Sequence, residues 1–369
     1  MISYVDILIP SKDRAMQLHL LLESMGRHLK NMGRITISWQ GSDDEFIKGY
    51  ELLKKRVYED EAFASLRKNS KEIIFRQRTS LSEVYKAAMD PGDFNYIMPL
   101  VDDDIFIREY DLVNHPASRY LFENDEILSC SIRLGDNLSD QVSSTTGDGV
   151  VYETPRGHAV SLLSTGKPRF IIPRHYHLLS SNKGTVADYL VWAWPENLNV
   201  PHWSSVLSTT GHIYRKRMYN EMYNKFGKDN FLNIEGEGFR YLIKNFLMVS
   251  SGTFGFLRIL DKLLMIIQEK KGIYGQELLL VLLAKYLYRK RTHQNEDMPV
   301  PYLMVCPRHS VICNIDNNTS HNRKKNITIM EGYNRSYLNG YIISYDMIPI
   351  DKIVFPLHVV EEYRMRKYS

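Results

Sequence analysis

At 369 residues, with 44% apolar and 24% charged side chains, the chain is too long and too evenly mixed to be disordered, fibrous or a disulfide-stapled miniature domain. Its 47 Lys plus Arg against 43 Asp plus Glu leave a net charge of +4, too slight to argue for nucleic acid and equally suited to an anionic small molecule. Three cysteines, Cys130, Cys306 and Cys313, show no metal-ligand spacing and cannot all pair, which points to a reducing, cytoplasmic setting. The opening "MISYVDILIPSKDR" lacks the basic region and long apolar run of a secretory signal. The most apolar window, "ELLLVLLAKYLY", is too short and too closely flanked by charge to span a bilayer.

In chain order, Tyr4 to Ile9 reads as a buried strand, "PSKDR" breaks it, and Leu18, Leu21, Leu22, Met25 and Leu29 then recur at helical spacing. "RITISW" predicts a second strand, and "QGSDDEF" a loop in which Asp43 or Asp44 caps a helix running to about Arg56. "KEIIF" predicts a third strand, "SLSEVYKAAM" a helix and "FNYIMPLV" a fourth strand. Strands alternating with helices in this way predict a mostly parallel α/β sheet with right-handed crossovers. Beyond Asp111, "ILSCSIRLGDN" and "RFIIPRHYHLL" read as strands and "TTGDGVVYETPRGHAV" as a loop or hairpin. "VADYLVWAWPENLNVPHW" gathers Trp192, Trp194 and Trp203, expected either as a wall for a sugar face or as core. Two helical patterns follow between Phe254 and Tyr288 and close on the basic "RKRTH", a solvated helix end or a peripheral contact with anionic lipid. A strand at "SVICNI" and a terminal helix at "HVVEEYRMRKY" complete the expectation.

The stretch "YIMPLVDDDIFI" poses the chemical question. It runs an apolar strand straight into Asp102, Asp103 and Asp104, and unpaired buried carboxylates cost several kcal/mol or more, so a metal ion, solvent or a helix N-terminus must compensate. In parallel sheets the ligand lies beyond the carboxyl ends of the strands. Here those ends carry "PSKDR", "QGSDD", "RQR" and "DDD", four polar clusters facing one crevice.

These residues, with "GHIYRKRMYNEMYNKFG" and "NIEGEGFRYLIK" after them, resemble nucleotide-sugar glycosyltransferases of the GT-A fold, the inverting members best, and "CSIRLGDN" and "GHIYR" look like segments of bacterial and viral glycosyltransferase-like proteins. The resemblance runs through about the first 245 residues. It implies a Rossmann-like sheet, a first loop of the form Pro-Ser/Thr-x-x-Arg/Asn holding the nucleotide through Pro10, Ser11, Lys12, Asp13 and Arg14, and an acid pair binding a divalent metal. It also implies an acidic catalytic base on a helix after the Gly-aromatic-Arg stretch. Where many inverting members carry adjacent Glu-Asp, this chain has Glu235 and Glu237 around Gly236, so which acid acts stays open.

On an extended chain Asp102 and Asp104 point to the same side, and carboxylate with phosphate oxygens favours Mn2+ or Mg2+. His212 is a third metal candidate or a structural histidine; His309, His321 and His358 are weaker ones. Glu235 or Glu237 opens a helix whose N-terminus keeps a carboxylate ionised, with Asp188 as rival base. Lys12 and Arg14 suit phosphate, Asp13 a base or ribose, Asp43 a nucleobase, and the Arg76 and Arg78 guanidinium forks a diphosphate, with Gln40, Asp102 and Asp103 facing the same donor. The expectation is a catalytic domain over 1–245 with a helical or mixed C-terminal region over 246–369. The activity expected is metal-dependent transfer of a sugar from a UDP- or GDP-sugar to a hydroxyl of a glycan or lipid-linked acceptor. A sugar nucleotidyltransferase is the rival within enzymes, although "PSKDRAMQ" lacks its Gly-rich basic loop. A non-catalytic nucleotide-sugar-binding module is the rival outside them.

Overall fold

The computed structural model describes residues 4–79, 83, 95–136, 143–144, 153–154, 157–158, 176–179, 188–198, 203, 206–227, 233–251, 279–294, 301–316, 323–348, 357–359 and 365–368. The first half is a regular alternation: β1 (Val5–Lys12), α1 (Ala15–His28), β2 (Met32–Gln40), α2 (Asp44–Glu59), α3 (Ala64–Asn69), β3 (Ser70–Gln77), β4 (Tyr96–Pro99). Then come β5 (Asp104–Phe106), α4 (Pro116–Glu123), β6 (Ile127–Ser131), β7 (Tyr176–Leu179), β8 (Tyr189–Ala193), β9 (His212–Arg215), α5 (Lys216–Met222) and α6 (Asn233–Ser251). Helix α7 covers 279–293. The chain continues with β10 (Leu303–Pro307), β11 (Ile312–Asp316), α8 (Arg323–Leu338), β12 (Tyr341–Ile343), β13 (Leu357–Val359) and β14 (Met365–Lys367).

A nine-stranded sheet in the order β7-β8-β10-β6-β9-β4-β1-β2-β3 forms the centre of this α/β fold, with helices packed against it. From β4 to β3 every pair is parallel, and across the whole sheet only β8 and β9 run against the other strands, so the sheet is mostly parallel. The reason lies in β1. Val5, Ile7, Leu8 and Ile9 are buried on both faces, the near-continuous apolar run that a parallel strand between two layers requires. Asp43 caps α2 as expected, its Oδ1 accepting the Phe46 N–H at 3.0 Å.

The sheet does not stop at residue 245. Strand β10 is an interior strand, parallel to β6 on one side and antiparallel to β8 on the other. A second sheet runs β5-β11-β13 and ends on Ser143–Ser144, so strand β11 pairs directly with the strand that begins at Asp104. Of the loop or hairpin expected over 145–160, the pairing of Glu153 with His158 and of Thr154 with Gly157 is a hairpin.

Three expectations change. The terminal segment forms strands β13 and β14, not one helix: β14 pairs antiparallel with β12, and cross-strand pairing outweighs local helical spacing there. Trp192, Trp194 and Trp203 are at most 1% exposed, so they are core and not a sugar-stacking wall. Trp192 meets Trp203 edge-on with centroids 4.8 Å apart, and Trp194 meets Phe246 at 5.5 Å, seating α6 against β8. Helix α1 was expected to show one apolar stripe, yet its polar Gln17, His19, Glu23 and Ser24 are buried too. The C-terminal segments cover that face: His19 Nδ1 lies 3.0 Å from the Tyr337 hydroxyl, and His28 Nε2 lies 2.6 Å from that of Tyr345. Of the predicted helix at 80–89 only Glu83 is among the described residues, and the first of the two helices after Phe254 lies outside them, as does His321.

His19 gives a measurable consequence. Enclosed by Phe63, Tyr337 and Tyr368, with Arg56 nearby, it is pushed down to about 3, first by burial and then by the arginine charges. The unfolded chain therefore binds the extra proton first. Stability is complete above pH 6.5 and falls below it, by up to about 1.4 kcal/mol per pH unit from this group. Urea midpoints recorded from pH 7.5 to 4.5 are expected to drop along that limb, and more gently in His19→Phe.

Candidate active site

The site is built at the carboxyl edge of the sheet, where β1, β2, β3 and β4 end together. After β4 the chain turns, with Asp104 N–H donating to the Val101 carbonyl at 3.1 Å, so the three acids sit on a tight turn and not on the extended chain expected. The turn changes which acids share partners. Asp102 and Asp103 are bridged by Arg14 Nη1, at 3.2 Å to Asp102 Oδ1 and 2.9 Å to Asp103 Oδ2. Asp103 and Asp104 are bridged by the Asn314 side-chain amide, whose Nδ2 donates to Asp103 Oδ1 at 2.7 Å and Asp104 Oδ1 at 3.2 Å. Ser11 Oγ donates to Asp102 Oδ2 at 2.8 Å, and Val101 N–H to Asp104 Oδ2 at 2.9 Å. Each of the six carboxylate oxygens thus accepts a hydrogen bond, which is the compensation that the sequence demanded.

Asp104 is buried to 1% exposure. Desolvation, reinforced by the adjacent Asp103 charge, pushes its carboxyl up to about 8.

Behind Ser11 stands Tyr50 of α2, buried and stacked on Trp39. Its hydroxyl lies 2.7 Å from Ser11 Oγ and accepts the Arg14 backbone N–H at 3.0 Å, so one phenol holds both first-loop residues that reach the acids. Tyr50→Phe is expected to cost about 1 kcal/mol in urea unfolding, the usual worth of a buried hydrogen bond.

The first loop divides its residues. Pro10 and Ser11 still belong to β1, Lys12 is exposed, and Arg14 turns to the acids. Asp13 adopts a left-handed φ of 60° and accepts both the Ser42 N–H at 2.7 Å and the Ser42 hydroxyl at 2.6 Å. Its own N–H donates to the Gln40 carbonyl at 3.1 Å, so Asp13 ties the β1 and β2 loops together. Asp43 spends Oδ1 on its helix cap. Arg76 pairs with Ser38 inside β3, whereas Arg78 lies past the strand end, buried, with its backbone N–H on the Trp39 carbonyl.

His212 arrives from β9, which runs antiparallel and so begins at this same edge. Gly211 before it takes φ +64°, donates to the Pro99 carbonyl at 3.0 Å and receives the Ile132 N–H at 2.9 Å. A Cβ there would come within 2.8 Å of Ile312, which is why glycine stands at this close approach. His212 Nε2 lies 2.8 Å from Ser131 Oγ, while its buried Nδ1 has no hydrogen-bond partner among the described residues. Burial and the Arg133 charge lower the ring to about 3, so it is a neutral imidazole. The Arg133 charge also acts on Asp104, so both side chains feel it.

The two glutamates separate. Glu235, in the first turn of α6, accepts both the backbone N–H of Thr209 at 2.6 Å and its hydroxyl at 2.8 Å on Oε1, fixing the loop that leads into His212. Glu237 is half-exposed and pairs with Arg240 at 2.5 Å. Asp188 precedes β8 on the same edge, four strand positions from β4, about 19 Å across the sheet. His309 pairs with Asp136, 3.2 Å away, and His358 lies on β13.

Among the described residues no three His, Cys, Asp or Glu side chains converge into a ready metal-ligand group. The donor chemistry nonetheless suits a hard or borderline divalent ion: carboxylates on the turn after β4, and one orphaned, buried imidazole nitrogen at the start of the neighbouring strand β9. Such ions in phosphate chemistry are held by one or two carboxylates, with water and substrate phosphates completing the shell, and so need no all-protein cage. Sequence reading missed Tyr50, Ser131, Arg133 and Asn314. Only Asn314 left a trace, as a lone amide within the apolar strand "SVICNI".

No protein-family model and no curated protein matches the chain. Solved structures similar to it include S. aureus TarS, at 13% identity and TM-score 0.33, over 63% of this chain and 33% of that one. TarS 1–349 overlaps at 10% identity and TM-score 0.32, over 63% and 54% of the two chains. The same fragment in complex with UDP overlaps at 11% and 0.32, over 66% and 55%. The chain therefore spans between one third and about half of these structures. Overlaps of this extent carry no functional argument.

Proposed function

We propose that the chain is a metal-dependent glycosyltransferase that moves a sugar, with inversion, from a UDP- or GDP-sugar to a hydroxyl of a glycan or lipid-linked acceptor. One observation carries the reading: the first-strand loop, the acid turn, His212 and the loop fixed by Glu235 all meet at the carboxyl edge of one sheet. Asp104 with Asp102, and His212 through its orphaned Nδ1, would hold Mn2+ or Mg2+. The ion would neutralise the departing diphosphate.

The protein's own groups supply the rest. Arg14, now resting on Asp102 and Asp103, is the cation nearest to the turn and turns its fork to donor phosphate. Asp13 and Ser42 hold the crossing of the β1 and β2 loops, where Gln40 and Asp43 border the nucleobase. Glu235 is the base of this reading, because Oε1 is anchored on Thr209 while Oε2 has no hydrogen bond among the described residues and can take the acceptor proton. Glu237, tied to Arg240 at the surface, is set aside for that role. Cys130, Cys306 and Cys313 are buried and in no disulfide among the described residues, which accords with a cytoplasmic setting. No described helix is long and apolar enough to cross a membrane.

The test is a thermal-shift screen of UDP- and GDP-sugars and nucleoside triphosphates, with and without Mn2+, followed by assay of released nucleoside diphosphate. A Mn2+-dependent rise with a nucleotide sugar, together with turnover, supports the proposal. A rise only with a triphosphate makes the protein a nucleotidyltransferase. Binding without turnover makes it a carrier module.

A further inference from the structure

We propose that Asn314 is a positioning residue for the acid turn: its amide sets the orientations of Asp103 and Asp104 and thereby how tightly the turn holds a divalent ion, an inference that rests on the metal reading above. The placement is built into the sheet. Strand β11 pairs antiparallel with β5 in the register Ile312 with Phe106, Cys313 with Ile105 and Asn314 with Asp104, so the two side chains stand directly opposite. On its far side β11 pairs in parallel with β13, Asn314 facing Leu357, and the backbone of Asn314 is held by ladders on both edges. A side chain so mounted aims its amide with little freedom.

The chemistry of that amide matters as much as its place. It offers N–H donors without a charge, to Asp103 Oδ1 at 2.7 Å and to Asp104 Oδ1 at 3.2 Å. A lysine or arginine there would neutralise the acids and compete with an incoming cation. An aspartate would add a like charge beside two others. A neutral side-chain amide can donate to both carboxyl groups without adding a charge of its own. Arg14 already binds the opposite oxygen of Asp103, and the Val101 N–H that of Asp104. Asn314 therefore completes the orientation of both groups, the role that outer-shell partners play for metal-binding carboxylates, where removal costs about 10–100-fold in affinity.

The test uses the full chain and free Mn2+. Bound ion is counted by the electron paramagnetic resonance signal of free Mn2+, and thermal shift with Mn2+ alone is recorded in parallel, for wild type, Asn314→Ala and Asn314→Gln. The Ala variant is expected to bind Mn2+ at least about 10-fold more weakly with unchanged far-ultraviolet circular dichroism. The Gln variant, which keeps the donor, is expected to recover part of that loss. Should the Ala variant fail to fold, Asn314→Ser, keeping one hydroxyl donor, is titrated in its place with the same expectation of weaker binding. Unchanged Mn2+ affinity in the Ala or Ser variant overturns the role of Asn314 while leaving the metal reading in force. Equal losses in Ala and Gln also overturn it, since strand fit and not the amide would then matter. A wild type that takes up no Mn2+ overturns the metal reading itself, and Asn314 with it.

Discussion

Replacing Asp104 by asparagine is expected to lower metal-dependent donor turnover by at least about 100-fold, a loss of roughly 2.7 kcal/mol of transition-state stabilisation. The substitution is nearly isosteric, and its carbonyl oxygen can still accept the Val101 N–H that closes the turn. Burial and the neighbouring Asp103 already push the metal-free carboxyl up to about 8, so asparagine reproduces its neutral form and folding is expected to change little. What asparagine cannot supply is the negative charge that a divalent ion recruits. Release of nucleoside diphosphate at saturating Mn2+, with circular dichroism as a control, separates the two effects. Undiminished turnover in Asp104→Asn after chelation would remove the metal from the reading.

The largest effect on stability is expected from Lys216→Met. Lys216 Nζ lies 3.0 Å from Asp6 Oδ2, with side chains only 10% and 7% exposed, and Asp6 Oδ1 also accepts the Arg34 N–H at 3.1 Å. Removing the ammonium leaves a carboxylate buried in the central strand, at a cost of about 3–5 kcal/mol. The double variant Asp6→Asn with Lys216→Met keeps an acceptor for Arg34 and abolishes both charges. It is expected to recover more than half of the loss in urea midpoint. A single variant that loses less than about 1 kcal/mol would mean that water reaches the pair.

Local signals made the N-terminal half legible. The helical spacing from Leu18, the cap at Asp43 and the acid-tipped fourth strand depend on neighbours a few residues away, and the structure keeps them; the first strand is kept too but runs on to Lys12 instead of breaking after Ile9. The convergence of polar strand ends was legible as well, since parallel order forces it. What could not be read depends on distant partners. Asn314 meets Asp104 across 210 positions, and Gln17 and His19 are buried by residues more than 300 positions away. The three tryptophans look alike in a sequence whether they face a sugar or the core; only the packing of α6 against β8 decides. The terminal strands were missed because β14 owes its form to β12, and not to its own spacing.

The interior position of Leu303–Pro307 fixes an order of events during synthesis. Until the ribosome has made that segment, Ile127–Ser131 and Tyr189–Ala193 lack the strand that later joins them, and each keeps an open backbone edge able to pair with another chain. A fragment cut at residue 245 would carry that gap permanently and is expected to aggregate, so variants of this protein need a chain that runs past Pro307 and not a minimal N-terminal piece.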